Sequence, residues 1–343
     1  MINSNDKVLI IAEAGVNHNG DISLAKKLID IAYQSGADAV KFQTWKSGEI
    51  TGRFAIKVPY LEEATNEEET RFELSKKLCL SYDTFRELKI YSEKVGIEFL
   101  STPDGFESLD FLVDELDMSV IKVGSTELNH ISFLESIGSK KRPVILSTGL
   151  GTLAEVDIAI SALRRGGGTD LPITLLQCTS QYPAPPEEMN LNVIKTYAQA
   201  FSVAVGLSDH SSGIEAAIAS VALGASVIEK HFTLDRNLEG PDHAASIEPG
   251  ELKDMVEALH RVKIMLGNGV KAPTLSEKNN MKGIRRSVVA SRDLDADSLL
   301  TVNDLICKRP GTGVAPPYMT LLIGRKIKKS MMKDEPFHWN DLV

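Results

Sequence analysis

The sequence of 343 residues predicts a (β/α)₈ TIM barrel of the α/β class, followed by a small β-rich domain. Eight short apolar runs occur in the first two thirds of the chain, and amphipathic segments of helical period lie between them. Nearly every run ends in residues that can take part in chemistry. Alternating strands and helices imply a parallel sheet, and a barrel of this kind has its active site at the carboxyl ends of its strands. The pattern therefore favours an enzyme.

The predicted strands are apolar in their bodies and polar at their carboxyl ends. In order, they are KVLIIAEAG from Lys7, DAVKFQT from Asp38, EFLSTP from Glu98, VIKVGS from Val120, PVILSTG from Pro143, ITLLQCTS from Ile173, AVGLSDH from Ala204 and VIEKHFT from Val227.

The segment after the first run, DISLAKKLIDIAYQSGAD, predicts a helix. Leu24, Leu28, Ile31 and Ala32 fall at helical spacing, and Gly36 lies where a C-cap would end the helix. Similar segments follow the third to seventh runs, and GELKDMVEALHRVKIMLGNG is the predicted closing helix. The one long gap, residues 45–80, contains the acidic stretch YLEEATNEEETRFEL. A solvated helix is the favoured interpretation of this segment. The alternative is part of a lid over the mouth of the barrel, the end at which the strands terminate.

The chain changes character after the closing helix. Residues 1–268 are the predicted barrel, residues 269–283 a polar linker and residues 284–343 a separate module with short β-like pieces and several turns. About 60 residues give a thin core, so we expect the module to lean on another surface for stability.

Composition excludes several classes of protein. With 43% hydrophobic and 25% charged residues, the chain is typical of a globular enzyme, and no apolar run approaches the roughly 20 residues that span a membrane. A net charge of −9 opposes a nucleic-acid partner. Three widely spaced cysteines without a CxxC pair, and an N-terminus without a basic leader, predict a cytoplasmic protein with no thiolate metal site.

Two lysines at strand ends, Lys41 and Lys122, suggest a phosphate or carboxylate ligand, because a buried ammonium requires an anion. The alternative is that each lysine pairs with a carboxylate for structure alone. Hydroxyl groups that could complete the anion site are those of Thr102, Ser125, Ser147 and Ser208.

Two histidines, His210 and His231, end neighbouring predicted strands that would lie about 4.8 Å apart, so both imidazoles could bind one divalent ion. An open site of this kind suits Mn²⁺ or Mg²⁺ acting as a Lewis acid. The alternative is a pair of hydrogen-bonded core histidines. Asp209 and Glu229 flank them, either as residues that orient the ligands or as members of ion pairs.

Two carboxylates, Glu13 and Glu127, could act as general base and acid if their environments separate their pKa values. Neighbouring lysines would instead keep both ionised. The loop EGPDHAAS adds Asp242 and His243, which suit the hydroxyl groups of a polar substrate, although His243 could equally lie on the surface.

In order, the motifs AEAGVNHNGD, VKFQT, FLSTP, KVGS with its following Glu, ILSTG, CTSQYPAP, GLSDHS, EKHFTLD and GPDHAAS resemble those of the sialic acid synthase family. The downstream RRSVVA and KRPGTG resemble its C-terminal antifreeze-like domain. The resemblance implies an enzyme that condenses phosphoenolpyruvate with an N-acylated mannosamine-type sugar, releasing phosphate and a nine-carbon α-keto acid.

The resemblance also implies roles for single residues. Glu13 and Glu127 match the acid/base candidates. His210 and His231 match ligands of a divalent metal, for which Mn²⁺ is the first choice and Mg²⁺ or Co²⁺ are alternatives. The residues that match the phosphoenolpyruvate site are Lys41, Thr102, Lys122, Ser125, Ser147, Ser180 and Ser208.

Four residues match sugar-site positions: Gln43, Tyr182, Asp242 and Arg309. In the family, the arginine of KRPGTG comes from the antifreeze-like domain of a second subunit, so the resemblance implies a domain-swapped homodimer.

Three departures from the family pattern bear on the sugar acceptor: Thr126 replaces a common Gly, Asp104 replaces a Phe and Gln177 replaces a His. N-acetylmannosamine, giving N-acetylneuraminate, and a 2,4-diacetamido-6-deoxy sugar, giving a legionaminate or pseudaminate, both remain open as acceptors. Two other classes are a non-catalytic sugar-binding protein, which predicts a degraded mouth, and a metal-dependent keto-acid aldolase, which would release no phosphate.

Overall fold

A computed structural model describes residues 7–46, 48–64 and 69–343. The chain divides into two compact units, the first ending at Gly267 and the second beginning at Asn268.

Eight parallel strands form the sheet of the first unit, in the order β3-β2-β1-β8-β7-β6-β5-β4. The first and last strands of that order lie against each other, so the sheet curls into a nearly closed barrel. This confirms the predicted TIM barrel. The strands are β1 (Leu9–Gly15), β2 (Ala39–Thr44), β3 (Glu98–Pro103), β4 (Ile121–Val123), β5 (Val144–Ser147), β6 (Ile173–Cys178), β7 (Ala204–Asp209) and β8 (Val227–His231).

Helices surround the strands, as the alternation of the sequence predicts. They are α1 (Ile22–Gln34), α2 (Pro59–Ala64), α3 (Arg71–Leu78), α4 (Tyr82–Val95), α5 (Phe106–Asp110), α6 (Ile131–Ser139), α7 (Leu153–Gly167), α8 (Val193–Phe201), α9 (Glu215–Ala222) and α10 (Pro249–Leu266). The side chain of Asp21 caps α1 by accepting from the backbone N–H of Ser23, and Gly36, at φ +81°, follows its end as predicted.

The interior of the barrel has an apolar layer and, one pleat further toward the carboxyl ends, a polar layer. The apolar layer consists of Ile11, Ala39, Leu100, Val120, Ile145, Leu176 and Val227. Side chains two positions apart on a strand face the same side. The next inward residues, all buried, are therefore Glu13, Lys41, Thr102, Lys122, Ser147, Cys178 and Glu229.

The insertion after β2 forms a small core of its own. Trp45, Leu61, Leu74 and Leu78 are buried together, and the indole N–H of Trp45 donates to the carbonyl of Ser75. Helices α2 and α3 are therefore packed on one side, and the predicted solvated helix has a buried face. Residues 65–68 of the acidic stretch lie outside the described residues.

The second unit is the predicted small β-rich module. Its strands β9 (Ser287–Ala290) and β10 (Leu305–Lys308) pair antiparallel, and Val288, Leu322 and Phe337 are fully buried in its core. Helix α11 (Leu275–Ile284) begins within the predicted polar linker, with a capping box between Thr274 and Glu277.

Across residues 7–46, 48–64 and 69–343, no helix combines the length and the apolar character that crossing a membrane requires.

Candidate active site

The polar layer of the barrel contains a cluster of buried charges. The ammonium of Lys41 lies 2.9 Å from Oε2 of Glu13 and 3.7 Å from Oε2 of Glu229, and the ammonium of Lys122 lies 3.4 Å from Oε1 of Glu229. Burial alone would raise the pKa of Glu229, but the ammonium groups of Lys122 and Lys41 lower it, so this carboxylate is ionised at neutral pH. Two lysines thus share one ionised carboxylate. Burial lowers the pKa of Lys122, and Glu229 opposes this fall.

Glu13 differs from Glu229 in its ionisation. Burial raises its pKa to about 7, Lys41 opposes the rise and Glu229 adds to it. A carboxyl group with such a pKa exists in both protonation states near neutral pH, which is what a general acid or base requires. Gln43, a predicted sugar ligand, donates to Oε1 of Glu13 at 3.0 Å.

Hydroxyl groups lie beside the two lysines and beside Glu229. Lys41 donates to Oγ1 of Thr102 at 2.9 Å, and Lys122 donates to Oγ of Ser147 at 2.8 Å. Oγ of Ser208 donates to Oε1 of Glu229 at 3.0 Å. The structure therefore brings five residues of the predicted anion site together at one level of the barrel.

Ser125 and Ser180 lie beside this cluster, around Gly149. Oγ of Ser125 accepts from the backbone N–H of Gly149 at 2.9 Å. A Cβ atom on Gly149 would lie 2.3 Å from Oγ of Ser180 and 2.9 Å from Oγ of Ser125, so any other residue here would displace both hydroxyl groups. Cys178 joins them, because Oγ of Ser125 donates to its Sγ at 3.4 Å.

His210 and His231 lie together at the mouth, with ring centroids 5.4 Å apart. Nδ1 of His210 lies 2.7 Å from the carbonyl oxygen of Thr179, and donation to this acceptor places a proton on Nδ1. Burial opposes the charged imidazole, but Cys178 and this carbonyl raise the pKa of His210, so Nε2 has a free lone pair in the neutral form only. Nδ1 of His231 is buried without a hydrogen-bond partner, and Oδ2 of Asp242 lies 3.5 Å away. Burial, with the positive field of neighbouring groups, holds the pKa of His231 well below its usual range, so the imidazole is neutral.

These donors fit a divalent cation with an open coordination sphere. An orphaned, neutral imidazole nitrogen next to a second imidazole is a pair of donors that such ions accept. Within the described ranges, no group of three or more His, Cys, Asp or Glu side chains is arranged to hold a metal. A cation bound by the two histidines would therefore complete its coordination with water or substrate.

The two acidic residues that flank the histidines have different surroundings. Asp209 pairs with Lys230 at 2.9 Å and accepts from both the backbone N–H and the hydroxyl of Ser211, whereas Glu229 faces the two lysines of the barrel interior. Asp209 therefore belongs to an ion pair. Tyr182 stacks on His210 with ring centroids 4.0 Å apart, which places this predicted sugar ligand beside the histidines.

The remaining predicted residues are more dispersed. Glu127 follows β4, and its Oε2 lies 2.7 Å from Nδ1 of His130. His243 is fully buried and lies 2.6 Å from Oγ1 of Thr233, so the surface alternative for it is wrong. Arg309 belongs to the second unit, where its Nε donates to the carbonyl of Ile284.

Three polar residues of the mouth were not predicted as site residues. Glu229 was assigned only to a supporting role, although it lies two positions before His231 and so faces the same interior. Asp104 follows β3 directly; burial raises its pKa to about 7, and Glu127 adds to the rise. Cys178 ends β6 in the polar layer.

The fold and the polar mouth define the chain as a TIM-barrel enzyme. Residues 28–271 match the NeuB family and residues 285–343 match the SAF domain, so the chain belongs to the NeuB family and has a C-terminal SAF domain. This confirms the resemblance found in the motifs.

Named relatives of the chain are synthases. It is 42% identical to N,N'-diacetyllegionaminic acid synthase of Campylobacter jejuni over 329 residues, covering 96% of this chain and 98% of the relative. It is 36% identical to human N-acetylneuraminate-9-phosphate synthase over 332 residues, covering 95% and 90%. The crystal structure of N-acetylneuraminic acid synthetase from Leptospira borgpetersenii, in complex with citrate, has a TM-score of 0.72 and 36% identity, covering 81% of this chain and 91% of that one. The chain is a synthase of the same family.

Proposed function

We propose that the protein condenses phosphoenolpyruvate with the open-chain form of N-acetylmannosamine, giving N-acetylneuraminate and phosphate. The observation that supports this proposal is the pair of buried lysines, Lys41 and Lys122. Both contact Glu229 and lie among hydroxyl groups, next to the apolar layer of the barrel. Such a layer suits a small, highly charged anion better than an uncharged sugar, because two ammonium groups outweigh one firmly ionised carboxylate.

The phosphate and carboxylate of the donor would lie in two adjoining parts of this layer. One part contains Lys41 and Thr102, and the other contains Lys122 and Ser147. The narrow space beside Gly149 adds the hydroxyls of Ser125 and Ser180. Hydrogen bonds from these groups would orient the enol so that C3 faces the mouth.

His210 and His231 would hold the divalent cation, Mn²⁺ in the first place and Mg²⁺ or Co²⁺ as alternatives. When bound, the cation supplies Lewis acidity at the aldehyde oxygen of the sugar. The neutral state of His231 supports this role, since only an unprotonated imidazole binds a metal.

The two glutamates would handle the protons. C3 of phosphoenolpyruvate forms a bond to the aldehyde carbon, whose oxygen takes up a proton, and water then adds at C2 and loses a proton. The resulting C2 hydroxyl passes its proton to the departing phosphate as the C2–O bond breaks, which leaves the keto group. One acid and one base suffice, and Glu13 and Glu127 are the candidates. The pKa of Glu13, raised by burial to about 7, supports its part.

The sugar would contact Gln43, Tyr182 and Asp242, which lie near Glu13 or the histidines. The same mouth could accept a 2,4-diacetamido-6-deoxy sugar, giving legionaminate or pseudaminate. The two acceptors differ where a hydroxyl replaces an acetamido group, a change in size and hydrogen bonding that one pocket should distinguish.

A homodimer in which each SAF domain serves the barrel of the other subunit is the proposed assembly, with Arg309 reaching the sugar site of the partner. Charge supports it: residues 268–343 have 13 Lys and Arg against 8 Asp and Glu, a net charge of +5, whereas residues 1–267 have −14. Mixing inactive K122M with inactive R309A should restore activity, because mixed dimers then contain one intact site. Failure of mixing under conditions that exchange subunits would contradict the swap.

The experiment that tests the reaction is a panel of N-acylated mannosamines and diacetamido sugars, incubated with phosphoenolpyruvate and Mn²⁺. Phosphate release and the mass of the product are measured together. Release of phosphate with a nine-carbon keto acid supports the proposal and identifies the acceptor. In a parallel incubation with pyruvate in place of phosphoenolpyruvate, condensation would support an aldolase instead, and sugar binding without turnover would support a binding protein. No turnover with any acceptor overturns the proposal.

A further inference from the structure

A hydrogen-bonded pair connects Glu127 with the solvent. Nδ1 of His130 lies 2.7 Å from Oε2 of Glu127, whose side chain is 17% exposed, whereas the imidazole of His130 is 44% exposed. Both residues lie in the short connection between β4 and α6. The carboxylate is thus partly enclosed, and its partner reaches bulk water.

Packing fixes the imidazole of His130 in this position. The ring of Phe106 meets it edge-on with centroids 5.8 Å apart, and the ring of Phe133 lies 5.4 Å away. Both aromatic neighbours are uncharged. Glu127 is therefore the charged side chain in contact with the imidazole.

The carboxylate of Glu127 also acts electrostatically on a group of the mouth. Its charge acts on the carboxyl group of Asp104, and that group in turn feels the ammonium groups of Lys41 and Lys122. Glu127 is therefore coupled through Asp104 to the buried charge cluster and by a direct contact to an imidazole that reaches water.

We propose that His130 is a proton relay for Glu127. The inference rests on the proposed function, in which Glu127 is an acid/base group. A proton accepted at Oε2 of Glu127 passes to Nδ1 of His130, and the imidazolium releases the proton on Nε2 to water, which frees the carboxylate and leaves the imidazole as its Nδ1–H tautomer. Proton exchange with water returns the imidazole to its Nε2–H tautomer before the next turnover, and the reverse sequence delivers a proton. Imidazole suits this task because it takes up and releases protons readily near neutral pH.

Helix capping does not explain the side chain. The backbone carbonyl of His130 accepts from the N–H groups of Phe133 and Leu134, and its side chain makes no capping hydrogen bond to α6. The backbone contribution to the helix start therefore remains in any variant of His130.

The test compares H130A, H130N and H130F with the wild type in the phosphate-release assay, each with and without added imidazole or pyrazole. Asparagine keeps a hydrogen-bond donor that cannot relay, and phenylalanine keeps the ring packing and fills the space. Pyrazole has the size of imidazole but takes up protons poorly near neutral pH. H260N, which changes a histidine on α10 away from the strand ends, is the control for the loss of an imidazole elsewhere.

We expect kcat to fall about tenfold in all three His130 variants, with KM for both substrates within about twofold of wild type. Imidazole should restore H130A but not H130F, pyrazole should restore neither, and H260N should match the wild type. Wild-type kcat in H130N, or no response of H130A to imidazole, overturns the relay. If H130A does not fold, the kcat of H130N decides. If the wild type turns over and these variants have the same kcat, the relay alone is contradicted. If the wild type does not turn over, the proposed function is contradicted and the relay with it.

Discussion

The ammonium of Lys230 lies 2.9 Å from Oδ2 of Asp209, and both side chains are almost completely buried. Each residue precedes a candidate metal ligand, His231 and His210 respectively. Because side chains alternate along a strand, this pair lies on the helix side of the barrel wall while the histidines face the mouth. Lys230 also donates to the carbonyl of Ser211, so the pair ties the ends of β7 and β8 together.

Replacing Lys230 by methionine should destabilise the protein by about 3–5 kcal/mol, because the carboxylate of Asp209 would be left buried without a partner. Chemical denaturation at neutral pH measures the effect. The double variant D209L/K230M, which removes both charges, should regain most of the lost stability. A K230M protein within about 1 kcal/mol of wild type would contradict the importance of the pair.

Replacing Glu229 by glutamine should tighten the binding of inorganic phosphate by at least about fivefold, or about 1 kcal/mol. The reason is that Glu229 competes with an anion for Lys41 and Lys122. The shift of the unfolding temperature with added phosphate measures affinity, with sodium chloride at equal ionic strength as the control. Equal or weaker phosphate affinity in E229Q would show that the lysines do not form the anion site.

Much of the fold and part of the site could be predicted from the sequence, because a single rule connects them. Each inner apolar residue of a strand is followed two positions later by a polar residue, as Ile11 is by Glu13 and Val120 by Lys122. Period-two alternation places both on the same face, so strand prediction and site prediction depended on the same pattern. The same rule applied to Val227 leads to Glu229, which was not chosen as a central residue.

What could not be predicted depends on packing between distant segments. The burial of His243 against Thr233 follows from the path of the loop after β8, which has no periodic signal. The link between Glu127 and His130 requires the backbone of a single turn to place both side chains on one side. The sequence does contain a signal for helix α11, because Thr274 and Glu277 have capping-box spacing. The polar composition of the segment favoured a linker instead.

Replacing His231 by alanine should weaken the binding of Mn²⁺ by about 100-fold or more while leaving phosphate affinity unchanged. The metal donors and the lysine layer are made by different residues, so the two functions should separate. Electron paramagnetic resonance of free Mn²⁺ measures metal binding without turnover, and H260A is the matched control. Turnover that persists in H231A, or in wild type treated with a chelator, would contradict the Lewis-acid role.

Replacing Asp104 by asparagine should change how stability depends on pH. Burial raises the pKa of Asp104 to about 7, and Glu127 adds to the rise, whereas an unfolded aspartate has a pKa near about 4. Between these two values the unfolded chain loses its proton while the folded protein keeps it, so this group lowers the stability of the fold as pH rises toward 7.

The asparagine variant has no carboxyl group at position 104, so it does not lose stability in this way as pH rises. D104N and wild type should therefore be equally stable near pH 4, and D104N should be more stable by about 1–2 kcal/mol near pH 8, a moderate value because Asp104 is partly exposed. Urea denaturation across this pH range measures the difference. Asp157→Asn, on the exposed face of α7, should follow the wild-type curve. If D104N also follows that curve, the carboxyl group of Asp104 is not held in a raised protonation state by the mouth.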